Sequence, residues 1–123
     1  MEKSFTNREL KELVEALKGV TAQSVVMPPK IAYKIVKNKL AIEEALKPFN
    51  VSHDEIIEKL SGGKTSVEYK DDPQLFNEIG EAIAAIAAES VTVNIAAINI
   101  NDLPDEALPV SVIAALEFMI EEE

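Results

Sequence analysis

The chain has 123 residues, of which 47% are apolar, so it is long enough to bury one hydrophobic core and too short for two. It contains no cysteine, which excludes disulfides, thiolate metal sites and a cysteine nucleophile. No apolar run approaches the roughly 20 residues of a membrane-spanning helix, and the start of the chain is charged rather than signal-like. We therefore expect a single cytoplasmic domain, residues 1–123, with no membrane partner.

The charged residues are divided unequally along the chain. Residues 1–70 contain all twelve Lys and Arg side chains together with ten acids, whereas residues 71–123 contain twelve acids and no base. Such an acidic segment repels nucleic-acid phosphates, so we expect no direct nucleic-acid partner, and a basic partner if this half binds anything. The alternative is that these acids only form a solvated surface.

An apolar repeat near the start of the chain predicts the first helix. Thr6 and Asn7 suit its N-terminus, and Gly19 follows the repeat as a C-cap. We therefore predict a helix over residues 7–18. Its inward positions are Leu10, Leu13, Val14 and Leu17.

A longer helix is predicted from Pro29, because proline fits the first turn of a helix and disfavours helix before it. Its apolar stripe is Ile31, Ile35, Ile42, Leu46 and Phe49. Asn38 lies inside that stripe, so we expect its side chain to be buried with a hydrogen-bond partner. Pro48 either kinks or ends the helix, and Ser52 suits the capping box of a new one. Residues 29–61 therefore form one kinked helix or two.

Two further segments have the composition of strands, residues 65–70 and residues 91–100. Between them, Asp72 and Pro73 begin a helix. Its inward residues are Leu75, Ile79, Ile83 and Ile86. A last helix begins at Pro109. Its apolar face contains Val112, Ile113, Leu116, Met119 and Ile120. The predicted fold is α+β, mainly helical with a small two-stranded sheet, in the order α-α-(α)-β-α-β-α.

One segment, Gly62 to Thr65, resembles the end of a phosphate-binding loop. That loop needs a glycine where Glu58 stands, and it follows a strand, whereas a helix precedes the segment here. The order of elements is therefore wrong for nucleotide binding. We expect a flexible connector and no nucleotide cofactor.

The single histidine, His53, is the main candidate for metal binding or proton transfer. Neighbouring ligands on one helical face stand three or four residues apart, a spacing that Asp54 and Glu58 have but His53 and Glu58 lack. No catalytic triad, second carboxylate pair or dinucleotide fingerprint is visible. We expect no metal, no cofactor and no enzymatic activity.

The only basic patch is on the second predicted helix. Lys30, Lys34 and Lys37 share one edge of it, beside Tyr33. These lysines either form a solvated face or bind an acidic surface, for which the acidic half of a neighbouring copy is the first candidate.

The candidate acidic contacts lie near the C-terminus. They are Asp102, Asp105, Glu106 and Glu117. In the predicted terminal helix, Glu117 and the last three glutamates lie at the negative end of the helix dipole. That end of the helix either frays or is held near positive charge from another chain.

Three stretches together resemble small phage and prophage proteins of unassigned function. They are "LKELVEALKGV", "PPKIAYKIVKNKLAIEEALKPF" and "DLPDEALPVSVIAALEFMIEEE". Such proteins have a short leading helix, a helix begun by proline, an acidic strand and a terminal helix begun by proline. The resemblance covers most of the chain, implies a phage or prophage origin and the host cell cytoplasm, and supplies no site residues.

Two functional hypotheses follow. The first is a non-enzymatic interaction or assembly accessory protein of phage type that forms homo-oligomers. The second is an acidic inhibitor, of the anti-defence or nucleic-acid-mimic type, whose residues 71–123 bind a basic surface of a host or phage protein. The two differ in geometry, because mimicry needs the acids on one exposed face.

Overall fold

A computed structural model describes residues 1–22, 26–104 and 108–121 of the chain. In these residues the α-helices are α1 (Asn7–Ala22), α2 (Pro29–Ser61), α3 (Pro73–Ala87) and α4 (Val110–Leu116). The strands are β1 (Glu2–Thr6), β2 (Ser90–Asn94), β3 (Ile98–Asn99) and β4 (Ile120–Glu121). Short 3-10 helices follow β3 and α4. The predicted class, mainly helical α+β with a small sheet, is confirmed.

Two small sheets contain the four strands. β1 pairs antiparallel with β2, from Glu2 opposite Asn94 to Thr6 opposite Ser90. β3 pairs parallel with β4. The prediction missed β1 because four of its five residues are polar or charged and only Phe5 is apolar.

The strand predicted over residues 65–70 is wrong. Those residues form a bend, an irregular stretch and a turn, and only Val67 among them is partly buried. A strand needs both a paired neighbour and a face to bury, and this segment has neither. Tyr69 instead packs edge-to-face on Phe76 of α3, with ring centroids 5.7 Å apart.

Helix α1 begins with a reciprocal capping box. The Thr6 backbone N–H donates to Glu9 Oε1 at 3.0 Å, and the Glu9 N–H donates to Thr6 Oγ1 at 3.1 Å. The hydrogen bond from the Thr6 backbone to the Glu9 carboxylate, and secondly one from the Thr6 side chain to the same group, lower the pKa of Glu9. Gly19 is not a C-cap, because the helix continues to Ala22 and buries Val20.

Helix α2 is one helix of 33 residues that continues through Pro48. Leu46 and Phe49, on either side of the proline, are both buried in the core, and this packing holds the helix across the lost backbone hydrogen bond. Ser52 therefore lies inside the helix and starts no new one. None of the helices in the described residues is long and apolar enough to cross a lipid bilayer.

The core lies around α1 and α2: α2 packs against α1, α3 and β2, and α4 packs against α1. Asn38 is fully buried in it, as predicted. Its Nδ2 donates to Ala96 O at 2.9 Å and to Met119 Sδ at 3.4 Å, and its Oδ1 accepts from Ala96 N–H at 2.7 Å. The largest fully buried apolar side chains of the core are Leu10, Leu17, Ile42, Ile95, Ile98, Leu116 and Met119.

The strand β2 ends at Asn94, earlier than the predicted residue 100. The Ile95 N–H bonds to Met1 O at 2.7 Å, and the next residue bonds to the Asn38 side chain instead of to a strand. The chain therefore leaves the pairing with the N-terminal segment after residue 95. Beyond that point it forms a loop and then β3.

Helices α3 and α4 begin as predicted. The Asp72 side chain accepts from Leu75 N–H at 3.0 Å at the start of α3, and Pro109 precedes α4. In α3 only Ile79 is fully buried. The other predicted inward residues, Leu75, Ile83 and Ile86, are partly buried.

The predicted terminal helix is wrong beyond Leu116. α4 ends there, and the chain passes through a 3-10 turn into β4, because pairing of β4 with β3 requires an extended backbone. Met119 is buried, whereas Ile113, predicted to face inward, is 45% exposed. Phe118 packs edge-to-face on Phe5 of β1, at 6.3 Å between centroids.

The hydrogen bonds of Asn38 give the first prediction. We expect Asn38→Leu to lower the free energy of unfolding, because the N–H and C=O of Ala96 lose their partner, at roughly 1–3 kcal/mol for each group left buried and unpaired. Urea unfolding of the variant measures this loss. The matched control is Asn50→Leu on the exposed side of the same helix, expected to change stability by less than about 0.5 kcal/mol. Equal stability of the two variants would contradict the prediction.

Candidate functional site

The three lysines of the predicted basic patch are used differently. Lys30 and Lys37 are exposed on α2. Lys34 is partly buried, and its Nζ donates to Ala97 O at 2.9 Å, one residue beyond the Asn38 contact. Lys34 thus helps to hold the loop between β2 and β3, while Lys30 and Lys37 remain open to solvent.

A cavity of about 500 Å³ lies at the N-terminus of α2. Its lining residues are Pro28, Pro29, Lys30, Ile31, Lys34 and Asp102. The structure therefore brings three of the predicted partner-binding residues together, although none of the ion pairs in the described residues joins them. Glu117 does not line this cavity. Asp105 and Glu106 lie outside the described residues.

The acids of the C-terminal half are open to solvent. All eight that are described are exposed, namely Asp71, Asp72, Glu78, Glu81, Glu89, Asp102, Glu117 and Glu121. In the described part of the chain, every ion pair is local and lies within residues 1–70. Glu121 belongs to β4, so the predicted conflict between the last glutamates and a helix dipole does not apply to it.

The glycine pair after α2 ends the helix. Gly62 and Gly63 have positive φ values of 75° and 107°, which suit glycine. Both N–H groups donate to Glu58 O, and the Lys64 N–H donates to Ser61 Oγ at 2.9 Å. Three consecutive backbone donors that a phosphate would need are therefore already bonded to the chain itself.

His53 is partly exposed on α2. Its Nδ1 lies 3.2 Å from Asp54 Oδ1, and its ring lies 6.1 Å from the Phe49 ring. Within residues 1–22, 26–104 and 108–121, no group of three or more His, Asp or Glu side chains is placed to hold a metal ion.

The side of α2 that faces away from the core carries a row of exposed apolar side chains. Tyr33, Val36 and Leu40 are 67%, 49% and 60% exposed. They recur at intervals of three and four residues, so they form one stripe about two turns long. We call these three residues the outer stripe of α2. The spacing of these three residues is visible in the sequence. The sequence prediction nevertheless missed them, because the inner stripe that includes Ile35 and Ile42 is enough to predict the helix.

The outer stripe continues toward the end of α1. A neighbouring cavity of about 400 Å³ is lined mainly by apolar side chains, including Val20, Val26, Met27, Ile35 and Val36. Val26 is 85% exposed. Val36 thus belongs both to the outer stripe and to the lining of this cavity, so the exposed apolar surface here is larger than a single residue.

Comparison of the chain with protein-family models, with curated proteins and with solved structures gave no match.

The glycine contacts give the second prediction. Gly62→Ala should lower the free energy of unfolding by roughly 1–2 kcal/mol, because an alanine at this positive φ is strained. Gly19→Ala, at an exposed position in α1 where a Cβ meets no atom within 4 Å, should raise it by about 0.5–1 kcal/mol. Chemical unfolding of both variants tests this.

Lys64→Ala should leave the unfolding midpoint unchanged, and calorimetric titration of the native chain with ATP and Mg²⁺ should give no heat of binding. A micromolar affinity that is lost in Lys64→Ala would show that the segment binds phosphate after all.

Proposed function

We propose that the protein acts by binding protein chains, its own copies included, as a non-enzymatic interaction or assembly accessory protein. The observation that carries this proposal is the outer stripe of α2. Scattered exposed apolar residues are common on protein surfaces, but Tyr33, Val36 and Leu40 are adjacent on one helical face. Anchors at positions i, i+3 and i+7 of a helix are a recurrent means of docking against another protein.

The position of the stripe supports a binding function over a purely structural one. The opposite face of α2, with Ile31, Ile35 and Ile42, already buries the side chains that hold the fold together. Contact of the outer stripe with a partner therefore removes apolar surface from water without competing with the core. The phage-type origin rests on the sequence resemblance alone.

The third prediction concerns self-association of the native chain. Light scattering coupled to gel filtration should give a mass above the 13.4 kDa of one chain at micromolar concentration, because exposed apolar surface on α2 favours association. Raising the salt concentration should not abolish the association, since apolar contacts are not screened. A mass of one chain at high protein concentration contradicts the proposal.

An acidic inhibitor is the second candidate function. It is favoured by one observation, the eight described acids of residues 71–121 that are exposed and belong to no ion pair in the described residues. Uncompensated acids steer basic partners, and this steering weakens beyond a Debye length of about 8 Å at physiological salt.

The fourth prediction follows from that candidate. If a basic partner binds the acidic half, its association rate should fall steeply as salt rises. Replacing Asp102, Asp105 and Glu106 together by amides should slow association and leave the melting temperature level or higher. Stopped-flow mixing at several salt concentrations measures the rate. Binding that is indifferent to both changes would place the interface elsewhere.

A further inference from the structure

The charges of α2 are segregated along its length. Residues 29–39 contain four lysines and no acid, whereas the segment of equal length after Leu40, residues 41–51, contains two acids and one lysine. The outer stripe lies in the basic part and ends at Leu40, where the composition changes. One turn further on are Glu43 and Glu44, both exposed. A helix that is basic in one half and acidic in the other is complementary to a reversed copy of itself.

We propose that the outer face of α2 binds the same face of α2 in a second copy of this chain, antiparallel, about a two-fold axis near Leu40. This inference rests on the proposed function and names its partner and its geometry. Because of that axis, a residue that precedes Leu40 in one copy lies opposite the residue that follows Leu40 by about the same number of positions in the other copy. Leu40 therefore packs against Leu40 of the other copy, at the centre of the contact.

The flanking residues match in this arrangement. Lys37, three positions before Leu40, comes within one residue of Glu44, four positions after it and on the same side of the helix, and the two-fold axis repeats this pair. Tyr33 and Lys47 stand seven positions on either side, so the exposed ring of one copy meets the ammonium of the other. Each copy thus supplies Tyr33 and Lys37 at one end of the contact, and Lys47 and Glu44 at the other end.

A parallel arrangement lacks this complementarity. It would place each residue of this face opposite the same residue of the other chain. The apolar residues would then meet, but Glu43 would also face Glu43 and Lys47 would face Lys47. Like charges directly opposed across a helix pair are unfavourable. Antiparallel α2 helices also align opposite helix dipoles, as the parallel arrangement does not.

Existing contacts on this face do not prevent the pairing. Glu44 forms an ion pair with Lys47 of its own chain at 2.7 Å, and both side chains are about 70% exposed. Glu43 lies 3.9 Å from Lys39. Exposed pairs of this kind contribute little to stability, so their exchange for contacts between chains costs little.

The fifth prediction tests the face. Leu40→Glu places two carboxylates next to each other at the axis, and should weaken self-association at least a hundredfold in sedimentation equilibrium. The matched control is Tyr69→Glu. Tyr69 is 58% exposed, close to the 60% of Leu40, and it lies far along the chain from the outer stripe of α2. This control variant should leave the dimerisation constant unchanged. Circular dichroism and the melting temperature of both variants establish that each is folded.

Charge exchange tests the direction of pairing. Lys37→Glu and Glu44→Lys should each weaken self-association, and the double variant should restore it, because the pair is re-formed with its signs reversed. Two single variants that lose association and a double variant that loses more would overturn the antiparallel arrangement.

Cross-linking gives an independent measure, because the native chain has no cysteine. Leu40→Cys should form a covalent dimer with a short thiol cross-linker. Tyr33→Cys should not, since antiparallel helices separate its two copies by about 21 Å at 1.5 Å per residue. A parallel pair would cross-link at both positions.

The outcomes separate the inference from the proposed function. A native chain that stays monomeric contradicts both. A native dimer whose association survives Leu40→Glu, or one that cross-links through Tyr33→Cys, contradicts only the antiparallel α2 interface and leaves self-association in place. A dimer lost in Leu40→Glu, restored by the double charge exchange and trapped by Leu40→Cys supports both.

Discussion

The fold depends on the contact between the Asn38 side chain and the backbone of Ala96. The amide accepts from the Ala96 N–H and donates to its C=O, as a neighbouring strand would, but from the middle of a helix. A fully buried amide is tolerated only when its donors and acceptors are paired, and the Met119 sulfur accepts a further contact. This contact fixes the loop after β2 on α2.

The elements around this contact take their positions from it. Lys34, one turn before Asn38, bonds to Ala97, and Met1 bonds to Ile95, so three consecutive loop residues are held by α2 and by the start of β1. After this loop, Ile98 is buried in the core and β3 pairs with β4. Pairing with β3 ends the terminal helix at Leu116. One helix thus organises both small sheets.

The same helix has a second face that the core does not use. Its inner residues are committed to the core, whereas its outer stripe is exposed. The proposed pairing of this helix with a second copy is consistent with an acidic surface elsewhere on the molecule. Repulsion between exposed acids of different molecules opposes contacts outside the outer stripe and favours solubility. The side chains of α2 that hold the fold together are therefore different from those that would carry the proposed association.

The sequence by itself determined, to within one residue, where each α-helix of the described residues begins, and also the inner stripe of α2 and the burial of Asn38, because prolines, caps and helical periodicity act within a few residues. Only the tertiary structure decided that residues 2–6 form a strand, that residues 65–70 do not and that α4 stops at Leu116, since strand pairing joins residues distant in sequence. It also decided that Lys34 is bonded within the chain while Tyr33, its neighbour, is left exposed, because burial depends on what packs against each face.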